Sequence, residues 1–198
     1  MILVIDNRPL DWNEEFILLK VLEEMFGERF EVVHYESDEL ANKIMAANVE
    51  AIISGGSPEL ITKKEVRKRF QPEINLLGKV RKPILGICHG HQLLTLAYGG
   101  EVSIRRSMVK GFRKIRVLKQ DPIFEGLDDS FMGWKEHREE VRRLPEKFIL
   151  LAESDDCAVE AIKLQNFPIY GLQFHPERFN DEHPEGLRIL ENFMKIIE

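Results

Sequence analysis

Two cysteines in 198 residues are too few for a disulfide framework, so a reducing cytoplasm is the expected setting. No run approaches the ~18 consecutive apolar residues that a membrane span needs. The opening MILVIDNRPLDW has no basic stretch and meets Asp6 too early for a secretory signal. A surplus of positive charge is missing too: 28 Lys and Arg stand against 34 Asp and Glu, a formal net charge of −6. The basic residues are interleaved with acidic ones, as in KKEVRKRFQPE and WKEHREEVRR, which argues against a nucleic-acid surface. Internal repeats, low-complexity tracts and linker-like stretches are absent as well. With 43% hydrophobic and 31% charged residues, what remains is a globular composition, long enough for one well-buried domain over residues 1–198.

The first hundred residues alternate two periodicities. MILVID (1–6), FEVVHY (30–35), VEAIIS (49–54) and KPILGIC (82–88) are short apolar runs of the kind buried on both faces of a parallel sheet. Between them, residues 13–26, a stretch N-capped by Ser37, residues 63–80 and HQLLTLAYGG carry helical spacing, with Pro72 and Gly78 making the third irregular. Four such alternations predict an α/β fold: an open, mostly parallel sheet with helices on both faces. The second half reads as short strands at EVSIRR, FRKIRVL, FILLAES, AVEAIKL and FPIYGLQF. These either extend that sheet or form a smaller β layer. One strong helix follows at EGLRILENFMKII (185–197).

The chemistry concentrates at ILGICHGHQLLTLAYGG (84–100). Reactive groups of an open parallel sheet sit at the carboxyl ends of its strands, and Cys88 is placed there. Its frame, Gly86-Ile87-Cys88-His89-Gly90, matches the G-x-nucleophile-x-G elbow with Cys in place of Ser. A sharp strand-to-helix turn strains the nucleophile, and side chains at Gly86 or Gly90 would collide across it. The helix N-terminus beyond favours a thiolate and leaves the His89 N–H free to donate to an oxyanion. Gly55-Gly56, after the third strand, can supply the second donor. In YGLQFHPERF (170–179) an apolar strand runs to His175. Glu177, two residues on, shares its face if the segment is extended. A general base with an orienting acid results. A zinc site from Cys88, His89 and His91 is disfavoured because the two histidines cannot share a helix face. Cys157, without a glycine frame or a nearby base, reads as structural.

Together these pieces resemble the class-I, triad-type glutamine amidotransferases. ISGGSPE (53–59), PILGICHGHQLL (83–94), WKEHREEV (134–141) and PIYGLQFHPE (168–177) occur in that family's order. The resemblance implies a flavodoxin-like fold and glutamine as substrate, attacked by Cys88 through a γ-glutamyl thioester, with His175 and Glu177 completing the triad. It implies oxyanion donors at Gly56 and His89 and substrate contacts at Gly55, Gln92 and His137. No metal or cofactor is implied. Gln92 also stands one helical turn from Cys88, on the same face. Family members pass ammonia to a synthetase, and within the family these segments are similar to the separate glutaminase subunits of GMP synthases. A separate ATP-dependent synthetase subunit is therefore the expected partner. The chain departs from the family at DNRPLDWNEEF, at Gly-Gly-Ser-Pro, at Glu136 in place of Ser and at SMVKGFRKI. Two other readings follow from these departures: a stand-alone γ-glutamyl hydrolase using the same triad, and a non-catalytic relative that keeps the fold.

Overall fold

Strand alternation divides the core between two faces of one sheet. The computed structural model describes residues 1–27 and 29–198. In β1 (Ile2–Asp6), β3 (Ala51–Ser54), β4 (Ile84–Ile87) and β9 (Ile169–Leu172) every residue but Asp6 is buried. Leu3, Ile5, Ile52, Ile84 and Ile169 face one layer, made by α2 (Leu40–Met45), α3 (Lys64–Leu77) and α4 (His89–Ala97). Ile2, Val4, Ile53, Leu85 and Leu172 face the other, where α1 (Ile17–Phe26) and α5 (Glu185–Ile197) pack. Covered on both sides, these strands need no polar face, which is why they read as continuous apolar runs. Among the described residues, no helix is long and apolar enough to cross a membrane.

The sheet has nine strands in the order β2-β1-β3-β4-β9-β8-β7-β5-β6, with β2 at Phe30–His34, β5 at Glu101–Val117, β6 at Ser130–Arg143, β7 at Phe148–Ser154 and β8 at Cys157–Leu164. The first five in that order pair in parallel and the last four join antiparallel. The β-rich second half thus continues the same sheet. β6, at its far end, curls back so that Trp134 bridges to His175.

Several elements differ from expectation. α1 starts at Ile17 instead of residue 13, because Arg8 donates to the Glu14 carbonyl at 2.9 Å and stacks on Phe16 at 4.1 Å. Ser37 caps only a preceding turn, accepting from the Glu39 N–H at 3.2 Å, and α2 begins at Leu40. α3 runs straight through Pro72 and ends at Leu77. Pro72 and Lys68 both lie on its solvent face, so the carbonyl that Pro72 leaves without a donor opens to solvent. EVSIRR and FRKIRVL are one strand, β5, with a register shift between Ile104 and Val109. β6 has no counterpart among the expected strands. Its inward positions are Phe131, Gly133, Lys135, His137, Glu139 and Val141, so an alternating strand carries no hydrophobic alternation. Each inward charge finds a partner instead. Lys135 is ion-paired with Glu160 and Asp156 and donates to Ser154 at 2.7 Å. Glu139 accepts from the N–H groups of Ile61 and Thr62 at 2.7 and 2.8 Å.

Candidate active site

Cys88 occupies the turn between β4 and α4 with φ 51° and ψ −97°, a left-handed conformation that a side chain adopts only under constraint. The constraint is visible. The Cys88 N–H donates to Leu172 O at 2.7 Å. A Cβ on Gly86 would come within 2.7 Å of the Gly90 backbone, and one on Gly90 within 2.2 Å of Ser54 O. The glycine frame therefore lets β3, the elbow and α4 pack backbone against backbone. Burial pushes the Cys157 thiol far up, and its sulfur is turned to Val159 O at 3.6 Å. Cys88 lies at the sheet's carboxyl edge.

His175 and Glu177 reach that edge by a route other than the expected one. β9 ends at Leu172, and Pro176 opens a 3-10 turn (Pro176–Arg178) that carries Glu177. The turn, not a shared strand face, brings Glu177 Oε1 to 2.7 Å from His175 Nδ1. Backbone pairing of the His175 N–H with Trp134 O, at 2.7 Å, fixes the imidazole from behind. A Cβ placed on Gly56 would lie 3.0 Å from His175 Cε1 and 3.8 Å from Cys88 Cβ, so the thiol, the imidazole and this glycine converge on one spot. Burial alone would lower the His175 pKa. The Glu177 carboxylate and negative charge on Cys88 outweigh it and hold the imidazole well above its ordinary range.

The two expected oxyanion donors flank the sulfur. His89 is the first residue of α4, and Gly56 follows β3. Among the described residues, no backbone acceptor takes the N–H of either. Gly55 is placed differently from a substrate contact: its N–H donates to Ile5 O at 3.1 Å and its carbonyl accepts from Asn7 and Gly90. It supports Gly56 from behind.

Gln92 and His137 line a cleft of about 60 Å³ with Cys88, Ser57 and Arg138. The Gln92 amide donates to Glu139 O at 3.1 Å and to Gln173 Oε1 at 3.3 Å. Nδ1 of His137 is bonded to Glu139 O at 2.9 Å, and burial depresses that imidazole to about 4. A second cleft, of about 250 Å³, opens on the other side of His175, between Gly56, Trp12, Phe16 and Arg178. Glu136, in place of the family's Ser, turns its carboxylate outward to Lys110 and Arg178. Its backbone carbonyl stays 3.9 Å from the Cys88 sulfur, so the substitution leaves the main-chain wall of the cleft in place.

Some site neighbours are unassigned by sequence reasoning. Gln173 sends its amide Nε2 to 3.7 Å from Cys88 Sγ and accepts from Gln92. Its place two residues before His175 was the available signal. Trp134 and Glu139, inside WKEHREEV, and Ser54, beside Gly55, carry no local sign of their roles, and Asn7 and Glu73 act from positions distant in sequence. The rings of His89 and His91 pack apart, His89 on Phe70 at 4.5 Å and His91 against Gly171, and burial keeps both neutral down to about 3. Among the described residues there is no cluster of metal-ligating side chains.

The family model described as glutamine amidotransferase class-I matches residues 17–197. The chain is similar to the glutamine-hydrolyzing GMP synthase subunit of Methanothermobacter thermautotrophicus, 39% identical over 155 residues that cover 78% of each protein. It is also similar to the equally named protein from Methanopyrus kandleri, 36% identical over 198 residues, covering 99% of this chain and 98% of that one. A solved structure from Thermoplasma acidophilum, described as that of a candidate GMP synthase subunit, aligns with a TM-score of 0.84 at 28% identity. It covers 99% of this chain and 92% of its own.

Proposed function

The chain belongs to the class-I glutamine amidotransferase family, and on that premise we propose that it hydrolyses the side-chain amide of glutamine with Cys88 as nucleophile. The observation that carries this reading is the convergence of Cys88, His175 and Gly56 around one point, with Glu177 Oε1 2.7 Å from His175 Nδ1. The sulfur adds to the amide carbon as a thiolate, its proton held on His175. The N–H groups of Gly56 and His89 receive the negative charge that develops on oxygen. His175, kept protonated beside Glu177, hands its proton to the departing nitrogen, and ammonia leaves a γ-glutamyl thioester on Cys88. Water, deprotonated by the same imidazole, then releases glutamate. Glu177 orients and stabilises the imidazolium throughout. Gln92 and His137 shape the wall that receives the amino-acid end of the substrate, and Gln173 holds Gln92 in place.

The relatives' name, which makes each of them one subunit of a glutamine-hydrolyzing GMP synthase, supports delivery of the ammonia to a separate ATP-dependent synthetase subunit of that type. In this reading residues 1–198 work as a single amidotransferase domain in the cytoplasm. The test is release of ammonia and glutamate from glutamine, with and without such a synthetase subunit, by the unaltered chain and by Cys88→Ala. Loss of at least about a thousandfold in Cys88→Ala is expected for removal of a covalent nucleophile. Full activity without the thiol would overturn the reading. One observation favours a second reading: a cleft of about 610 Å³ adjoins that of Cys88 along Pro58, Leu60, Met108 and Arg138. That leaves room for a γ-glutamyl group on a larger amine, as a stand-alone γ-glutamyl hydrolase would take.

A further inference from the structure

Behind the candidate oxyanion hole lies a buried polar chain that the reaction itself does not use. Glu73, on α3, is fully buried, as are Ser54 at the end of β3 and Asn7 just after β1. Ser54 Oγ donates to Glu73 Oε1 at 2.8 Å. Asn7 Nδ2 donates to Ser54 Oγ at 3.0 Å and to Gly55 O at 3.0 Å, and the Gly90 N–H reaches the same carbonyl at 3.2 Å.

We propose that Asn7, Ser54 and Glu73 are positioning residues that set the direction of the Gly55–Gly56 peptide, and through it the oxyanion donor of Gly56. The inference rests on the glutaminase reading above.

The argument is one of hydrogen-bond direction. A serine hydroxyl has one hydrogen and an amide has distinct donor and acceptor ends. Oε1 of Glu73, the acceptor oxygen whether the group is carboxylate or acid, takes the Ser54 hydrogen, so Ser54 accepts from Asn7. That forces the nitrogen of the Asn7 amide inward, where its second hydrogen meets Gly55 O. Across a planar trans peptide the C=O of one residue and the N–H of the next point opposite ways. Anchoring Gly55 O on the buried side therefore turns the Gly56 N–H to the side of Cys88 and His175. If the acceptor at Glu73 is removed, the Ser54 hydroxyl is free to donate to Asn7 Oδ1, which has no partner among the described residues. The amide then reverses and sets an oxygen against Gly55 O, and the peptide loses its anchor. Gly90 alone holds it, from the elbow that also carries the nucleophile.

Steady-state glutamine hydrolysis by the whole chain tests the lock, alongside the rate of Cys88 alkylation by iodoacetamide, which needs the thiol but no oxyanion donor. Asn7→Asp keeps the size and loses the donor; Glu73→Leu keeps the bulk and loses the acceptor. Each is expected to lower kcat at least about tenfold, towards the 10²–10³ seen when an oxyanion donor is lost. KM and the alkylation rate should stay within about twofold. Glu73→Gln, which can still accept from Ser54, should recover most of the rate lost in Glu73→Leu. Ser54→Ala, the smallest cut in the chain, should unfold cooperatively and show a lowered kcat. The proposal is overturned if Asn7→Asp and Glu73→Leu keep kcat within about twofold. It is overturned equally if kcat, KM and alkylation fail together, or if Ser54→Ala does not fold, because the network is then only a structural tie. An unaltered chain that neither hydrolyses glutamine nor reacts at Cys88 with a glutamine-mimicking diazoketone counts against the glutaminase reading instead.

Discussion

Replacing Glu73 with glutamine removes the one carboxylate that α3 buries against the end of β3, and the consequence for stability depends on pH. No cation pairs with Glu73 among the described residues, and its Oε2 has no partner there. Burial pushes the carboxyl up to about 7 from the ordinary 4.5, with the hydrogen bond from Ser54 pulling part of the way back. The folded chain therefore keeps a proton between about pH 4.5 and 7 that the unfolded chain releases. Stability from this group is fully present below about 4.5 and is lost as pH rises through about 7. The gap corresponds to about 3 kcal/mol at about 1.4 kcal/mol per pH unit, of which about 2 kcal/mol falls between pH 5.5 and 8.5. The amide of Glu73→Gln does not ionise, so the variant escapes this loss. Urea unfolding followed by circular dichroism at several pH values should show Glu73→Gln gaining about 2 kcal/mol on the unaltered chain from pH 5.5 to 8.5. Parallel stability curves across that range would refute the premise that burial holds a proton on Glu73 up to about pH 7.

Lys135→Met leaves Glu160 buried without its cation, a change expected to cost about 3–5 kcal/mol in urea unfolding, partly recovered when Glu160→Gln is added; an unchanged midpoint in the single variant contradicts it. Gly90→Ala places a Cβ 2.2 Å from Ser54 O. The elbow or the Gly55 segment must move by about 1 Å, and glutamine hydrolysis should fall about a hundredfold, measured as kcat on folded protein. His89 and His91, held neutral to about 3 by burial, should show no imidazole titration by NMR between pH 5 and 8, while His175 should titrate well above the ordinary imidazole range. A midpoint near 6.5 at either buried ring defeats that assignment. Because their folded pKa values lie below the unfolded one, the stability these two rings contribute is full above about 6.5 and lost as pH falls towards 3.

The parts of this molecule that were legible in its sequence are those whose causes are local. β1, β3, β4 and β9 announce themselves because helices cover both faces and every position is apolar. Cys88 does so because the glycines two residues either side are sterically obligatory, as the 2.7 and 2.2 Å approaches at Gly86 and Gly90 show. β6 was opaque for the opposite reason. Its inward Lys135, His137 and Glu139 look solvent-facing until Glu160, Asp156 and the Ile61–Thr62 backbone supply partners from other elements. β5 was split in two by the insertion at residues 105–108, which stand opposite Arg138 alone. The supports of the site were unreadable on the same ground: Gln173 meets Cys88 from 85 residues away and Asn7 meets Gly55 from 48. Such contacts exist only once the sheet has closed. Glu177 was found for an imperfect reason, since a 3-10 turn, and not strand alternation, delivers it to His175.

The place of β9 in the sheet has a kinetic consequence. This strand wedges between β4 and β8 although nearly the whole chain precedes it, and it brings Gln173, His175 and Glu177 to a thiol made some 85 residues earlier. Closing so long a loop comes late in folding, after the local β–α units have formed. A nascent or half-folded chain thus exposes a cysteine but has no proton acceptor beside it. If Cys88 and His175 act as proposed, the capacity to break an amide depends on the insertion of the last strand, since a chain without it holds the thiol and lacks the rest of the triad.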